Sequence, residues 1–379
     1  MSVPRGIRRL PSGRYQVRYT DPAGNRVTAP GTFRTQTAAT DWLAETSTAM
    51  RAGGYVDPRA GRITLSDWHA RWSSGRGVRS STAAAERSWW SRWIEPELGD
   101  RALSSITPLE LDAWLARIRA AGAGESTVEH SFGLVRKMLR AATRAEVIVR
   151  NPADGLSVRT PEPAPQRILE RDEIDALAIA IDPRFRALVR TLALTGLRIG
   201  EAGALRVERL DMLGRRLRVE ETLAEVAGHV TFGPPKTTAG RRTIALPRFV
   251  VDEIAEHLAR FRADAGRRDL VFTMPNGGPL RPGLFRRRFW APAVVAAELE
   301  PPTPTPHDLR HSHAAMLVAA GAHPKAIQVR LGHAAIGTTL DTYGHLFPGL
   351  DDELAARLDE SSWARSGHAA DPTVAAEES

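Results

Sequence analysis

The chain contains no cysteine. Disulfides, thiol nucleophiles and cysteine metal sites are therefore excluded, and the composition fits a reducing compartment. No apolar run approaches the roughly 20 residues that cross a bilayer as a helix. The basic N-terminus has no apolar stretch behind it and does not read as a secretion signal. Lysine is nearly absent: of 52 basic residues only Lys137, Lys236 and Lys325 are lysines. Arginine keeps its charge at any working pH, whereas a lysine can release a proton when its pKa is lowered. Each lysine is thus more informative than another arginine. Tyrosine is scarce too. Tyr15, Tyr19, Tyr55 and Tyr343 are the full set, and none lies between the third and the fourth.

With 379 residues the chain exceeds one ordinary core, so two or three domains are expected. Its charge is uneven. The whole chain carries +8, but the segment from Asp351 onward holds eight Asp/Glu against two Arg, which leaves +14 on the body. A basic body suits a polyanionic partner, most often nucleic acid. An arginine-rich soluble enzyme fits it equally well.

Residues 14–20, "RYQVRYT", alternate in the two-residue period of a half-buried strand. "DPAGN" reads as a turn, "RVTAPGTF" as a second extended piece, and 37–50 as a helix with Ala39, Trp42, Leu43 and Met50 on one face. Arg14, Arg18, Arg26 and Arg34 then fall on or near the strands. Strands can carry such side chains into a DNA groove, and a solvated sheet face has the same pattern. Residues 63–158 read as all-helical. One helix begins at "LSDWHARW", a second, "STAAAERSWWSRWI", ends near Pro96, and a third has Thr107 as N-cap and Pro108 at its first position. Trp89, Trp90 and Trp93 supply core, while Arg87, Arg136, Lys137 and Arg140 form a phosphate-facing or merely solvated surface. "RTPEPAPQR", 159–167, has three prolines in nine residues and reads as a semi-rigid linker. Beyond it, helices alternate with strands and a hairpin between about 215 and 246, "DLVFTM" reads as a short strand, and the rest to Phe347 is mostly helical.

Four short motifs stand out in this last region. "TGLRIGEAGAL" sets Arg198 after a glycine turn with Glu201 three residues on. "PPKTTAGRRTI" carries Lys236 near a hairpin. "TPHDLRHSHAAML" opens a helix with His307 and Arg310 on one face. "VRLGH" places His333 after a glycine, and Tyr343 follows ten residues later. His307 and His311 have an H-x-x-x-H spacing, but no zincin glutamate lies between them, no third ligand is near, and Arg310 would put a cation beside a zinc ion. His311 and His313 are expected to pack or bond locally.

In this order, Arg, Lys, His-x-x-Arg, His and Tyr, the motifs resemble the tyrosine recombinase (phage integrase) family. "TGLRIGE", "HDLRHSHA", "LGH" and "TYGHL" carry the resemblance, which covers about 169–347. It implies a multidomain chain, mainly α with small β elements. An arm-type DNA-binding module spans 1–60, a helical core-binding domain 63–158, the linker 159–167, an α+β catalytic domain 168–350, and a C-terminal helix with acidic tail 351–379. It also implies a site-specific recombinase that cuts and rejoins double-stranded DNA through a 3′-phosphotyrosine, without metal, ATP or other cofactor. Arg198 and Arg310 would hold the phosphate, His333 would add a hydrogen bond, and Tyr343 would attack. His307 would act as base and positioning group, Lys236 as acid for the leaving 5′-oxygen, and Glu201 as support. The implied partners are core and arm DNA sites, copies of the same chain in a tetramer, and DNA-bending and directionality factors, in a bacterial cytoplasm at the nucleoid. A type IB topoisomerase uses a similar residue set, and a DNA-binding relic could share the fold. The arm-like module and "HDLRH" disfavour the first, and the complete set of groups disfavours the second.

Overall fold

The computed structural model describes residues 6–57, 59–158, 166–226, 228–344, 355 and 358. The chain divides into two compact units, Met1–Pro163 and Ala164–Ser379.

The first unit opens with a three-stranded antiparallel meander, β1 (Ile7–Arg9), β2 (Tyr15–Thr20) and β3 (Arg26–Phe33), followed by α1 (Gln36–Arg51). The alternation read from the sequence sorts the two faces. Val17, Tyr19, Val27 and Ala29 are buried with Ala39 of α1, while Arg18 and Arg26 point outward. Trp42 meets the Tyr19 ring edge-on at 5.5 Å, and the Tyr19 and Tyr55 hydroxyls lie 2.9 Å apart. Helices follow: α2 (Leu65–Ser74), α3 (Ser80–Trp89), α4 (Glu95–Leu98), α5 (Pro108–Ala120) and α6 (Glu125–Arg144). Thr107 caps α5, accepting from the Glu110 amide at 3.2 Å, with Pro108 in the first turn. The helical run that begins at Ser80 ends at Leu98, close to Pro96 as expected. A π-helical turn, Trp90–Ile94, separates α3 from α4 and leaves Pro96 in the first turn of α4, where a missing N–H costs nothing. Trp90 is buried and Trp89 and Trp93 are partly buried in a core built around Trp114, Phe132, Val135 and Met138. The indoles of Trp68 and Trp114 donate to the carbonyls of Met138 (3.0 Å) and Trp93 (2.9 Å).

The second unit is α+β. α7 (Arg171–Ala180) begins with a capping box of Glu170 and Glu173, and α8 (Pro183–Thr195) and α9 (Ile199–Gly203) follow. β4 (Leu210–Asp211), β5 (Arg216–Val219) and β8 (Arg242–Ala245) form one antiparallel sheet, with β6 (Thr222–Val226) and β7 (His229–Gly233) as a separate hairpin between them in sequence. Then come α10 (Arg248–Phe261), α11 (Pro282–Phe285), α12 (Ala291–Ala296), α13 (Asp308–Ala319), α14 (Pro324–Leu331) and α15 (Ile336–Tyr343). The expected "DLVFTM" strand is absent. Val271 and Phe272 are buried, but the segment makes only isolated bridges, Arg206 with Leu270 and Thr273 with Pro279. It enters from a tight turn in which Asp269 accepts from the Gly266 amide at 2.8 Å. Burial alone therefore explains its apolar run. The core wraps α8, whose Phe185, Leu188, Val189 and Leu192 are buried. Of the expected linker only Gln166 and Arg167 are described. Of the helix expected from Asp351 only Ala355 and Leu358 are described, both helical and exposed, and His345 and Pro348 fall outside the described residues.

Candidate functional site

Two glycines shape the site. Gly196 ends α8 and Gly332 ends α14, both with φ near +70° (67° and 70°), the left-handed region that glycine enters without steric penalty. Neither could carry a side chain in place. A Cβ on Gly196 would lie 2.6 Å from Leu331, and one on Gly332 would lie 2.9 Å from the Ala239 carbonyl. The tight turn after Gly196 makes Arg198 the N-cap of α9, and the one after Gly332 delivers His333.

Glu201 lies in the first turn of α9 and is buried. Its Oε2 accepts from the Arg198 amide (3.0 Å) and from Arg242 Nη2 (2.9 Å), and its Oε1 accepts from Arg198 Nη1 (2.9 Å) and Arg242 Nη1 (3.3 Å). Burial alone would raise its pKa, but the hydrogen bonds and charges of Arg242 and Arg198 outweigh burial and hold the carboxyl below its ordinary value. Arg242, on β8, also donates to the Arg330 carbonyl at 2.7 Å and the Gly240 carbonyl at 3.1 Å.

Arg310, in the first turn of α13, is 2% exposed. Its Nη1 donates to the Gly196 carbonyl (2.5 Å) and its Nη2 to the Leu331 carbonyl (2.7 Å), so the guanidinium is pinned between the C-terminal ends of α8 and α14. Orphan carbonyls at helix C-termini suit a cation. Among the described residues no carboxylate pairs with Arg310. Burial, and then the neighbouring Arg198 charge, push its pKa well below that of a free guanidinium. It stays charged, as guanidinium does in proteins, and that charge is only partly neutralised.

Aromatic groups close the site. His307 is the N-cap of α13, and its ring meets that of His311 at 4.8 Å, edge-on. His311 Nδ1 shares a 2.9 Å hydrogen bond with the hydroxyl of Tyr343, which ends α15 and is 1% exposed. The Tyr343 ring lies parallel to that of His333 at 6.4 Å, and His333 Nδ1 is 2.8 Å from Thr339 Oγ1. Burial, aided by nearby cations, lowers the pKa of all three histidines, to about 4 for His311 and His333. At neutral pH they are uncharged. Burial raises the Tyr343 pKa, while Arg310 and Arg198 pull it back in part.

Arg198, Glu201, His307, Arg310, His333 and Tyr343 thus come together from four segments of the second unit. Lys236 sits on the exposed loop between β7 and the turn Thr238–Gly240, just past the β6–β7 hairpin. Three residues beyond it, Ala239 closes on the Gly332 corner. In the first unit Arg18, Arg26, Arg34, Arg87 and Arg140 are exposed. Arg14 is tied to the Thr32 side chain (2.6 Å) and carbonyl (2.5 Å), Arg136 lies 3.9 Å from Asp154, and Lys137 lies 3.8 Å from Glu86.

From the sequence His311 was expected only to pack or bond locally, although its spacing of four from His307 puts both on one helix face. Arg242 gave no signal of its own in a chain so rich in arginine. Only its contact with Glu201 sets it apart.

Comparison with known proteins gives a consistent picture. The model described as the phage integrase family matches residues 167–349, and that of the phage integrase N-terminal domain matches 6–52. The putative prophage phiRv2 integrase of Mycobacterium tuberculosis is 30% identical over 362 residues, covering 93% of this chain and 94% of that protein. Among solved structures, the Tn1549 transposon integrase in complex with transposon right-end DNA superposes with a TM-score of 0.67 at 24% identity, over 79% of this chain and 100% of that one. A lambda integrase tetramer bound to a Holliday junction superposes at 0.57 and 20% identity, over 88% and 97%.

Proposed function

The chain belongs to the phage integrase family of tyrosine recombinases, and from that premise we propose that it is a site-specific recombinase, integrating or excising a mobile element by cutting and rejoining double-stranded DNA. The observation that carries this reading is Arg310. A buried guanidinium held by two carbonyls, with no paired carboxylate among the described residues, leaves positive charge facing a ligand. Next to Arg198, it suits the non-bridging oxygens of a phosphodiester, which two guanidinium groups can bind through several N–H donors.

On this reading Tyr343 attacks phosphorus and forms the 3′-phosphotyrosine. Arg198, Arg310 and His333 stabilise the charge that builds on the non-bridging oxygens. His307 lies beside the arginines and positions the phosphate. Lys236 protonates the leaving 5′-oxygen from its loop, and Glu201 fixes Arg198. Rejoining is the reverse, so the bond energy is conserved and no nucleotide is needed. Residues 1–60 read arm sites through Arg14, Arg18, Arg26 and Arg34. Residues 63–158 grip core sites, with Arg87, Arg136, Lys137 and Arg140 toward the backbone. Residues 159–167 link them to the catalytic domain, 168–350, and 351–379 engage a neighbouring copy. Lambda integrase, with a similar fold, is known as a tetramer on a Holliday junction, and the same assembly is proposed for this chain, aided by DNA-bending and directionality factors. The site of action is the bacterial cytoplasm at the nucleoid. No helix among the described residues is long and apolar enough to cross a membrane.

The test uses a library of nicked duplexes with randomised flanks. The protein should form an adduct that survives SDS with a subset of them, and Tyr343→Phe should form none. An adduct with Tyr343→Phe overturns the reading. Strand exchange between two recovered sites then separates recombination from simple relaxation.

A further inference from the structure

We propose that His311 is the base that takes the proton of Tyr343 during cleavage and returns it during rejoining. The inference deepens the proposed function and rests on Tyr343 being the nucleophile.

The geometry singles out one imidazole. The Tyr343 hydroxyl bonds His311 Nδ1 at 2.9 Å, within the range for direct proton transfer. The other two histidines are otherwise placed. His333 is parallel to the tyrosine ring, with its Nδ1 on Thr339, and His307 faces the His311 ring. His311 lies one helical turn after His307 and next to Arg310, so the groups facing it are His307, Asp308 and Arg310 on α13 and Tyr343 on α15. Burial and the two nearest basic groups keep its ring neutral at pH 7, so one nitrogen is bare. A Tyr343 hydroxyl donating to Nδ1 leaves the proton of His311 on Nε2. Arg310 and Arg198 meanwhile favour the tyrosinate that develops.

The step balances. As the Tyr343 oxygen bonds to phosphorus, its proton passes to His311 Nδ1. The bond from phosphorus to the 5′-oxygen breaks, and that oxygen takes a proton from Lys236. On rejoining, the 5′-hydroxyl gives its proton to Lys236 and attacks. The phosphotyrosyl bond then breaks, and His311 returns its proton to the tyrosine oxygen. His307 is left to position the phosphate.

The test is single-turnover cleavage from pH 6 to 9 on a nicked duplex recovered from the randomised library, with DNA binding and thermal melting measured alongside. Wild type should be flat over this range. His311→Ala and His311→Asn should each cleave about 10²-fold slower or worse at pH 7. Their rates should then rise about tenfold per pH unit, because the tyrosinate must form unaided. Asn keeps an acceptor near the place of Nδ1 but cannot hold a proton. Wild-type rates in His311→Asn would reduce the residue to positioning and overturn the proposal. So would faster cleavage, the sign of a latch on the nucleophile, or slow cleavage with a flat profile, the sign of a structural role. A DNA-free check is the imidazole ¹⁵N spectrum of the full chain. A bare Nδ1 on His311 is expected at pH 7, and a protonated one overturns the assignment. If Tyr343→Phe still cleaves, the nucleophile assignment has failed, and with it the premise.

Discussion

The site holds two buried arginines with opposite surroundings. The Arg242 side chain is 4% exposed and faces the Glu201 carboxylate, which is as deeply buried. Its remaining donors go to the carbonyls of Arg330 and Gly240. Arg310 is 2% exposed and has two carbonyls but no carboxylate pair among the described residues. Both are expensive to bury. Only Arg242 recovers that cost within the folded chain. On the proposed reading, Arg310 recovers it when the phosphate of DNA arrives. Arg242 would then serve the fold and Arg310 the ligand, although the chain spells both with the same letter.

That contrast can be broken in several ways. Glu201→Ala should have the largest effect. It leaves Arg242 buried without its counterion and should cost about 3–5 kcal/mol in urea unfolding. A loss below 1 kcal/mol would mean that Arg242 is no more a structural group than Arg310. Arg310→Ala comes next and should slow adduct formation by about 10²–10³-fold, or roughly 3–4 kcal/mol in the transition state. Unimpaired cleavage in that variant would end the distinction from the other side. Inorganic phosphate sharpens the contrast without DNA. At a hundred times its Kd it should stabilise the wild type by about 2.7 kcal/mol, and Arg310→Ala should lose that gain in thermal melts. The last effect, spread over several pH units, is one of pH. His313 donates from Nδ1 to the Ala193 carbonyl (3.1 Å) and accepts at Nε2 from Arg330 (2.8 Å), and burial followed by the Arg330 charge lowers its pKa to about 3. The folded chain refuses a proton that the unfolded chain takes up below its ordinary value of 6.5. Stability from His313 is thus complete above about pH 6.5 and falls by up to about 1.4 kcal/mol per pH unit on acidification toward pH 3. His313→Asn should flatten the acid limb of the stability curve, and an unchanged limb would show that His313 takes up its proton while folded.

The glycines after α8 and α14 were readable because each closes an apolar-periodic helix just before a polar residue. Thr107 and Pro108 were readable because capping is local chemistry. The alternation of β2 predicted which face of the meander is buried. "DLVFTM" misled because apolar residues are buried with or without a ladder of hydrogen bonds. The end of the second helix near Pro96 was readable, but the π-helical turn Trp90–Ile94 inside it was not. Lys236 lies near a hairpin as expected, three residues past β7 on the loop that leads to β8, whose pairing with β5 no local pattern announced.

By itself the sequence determined the kind of chemistry. One phenol, two arginines, a lysine and two histidines stand in an order and spacing that suit phosphoryl transfer, and none of that depends on a fold. Tertiary structure alone decided which arginine keeps free charge and which histidine meets the phenol. His311 and Tyr343 are 32 positions apart and on different helices. Gly196 and Leu331, whose carbonyls hold Arg310, are 114 and 21 positions from it. Hydrogen bonds and burial act over a few ångströms, and only the folded chain brings such positions within that reach.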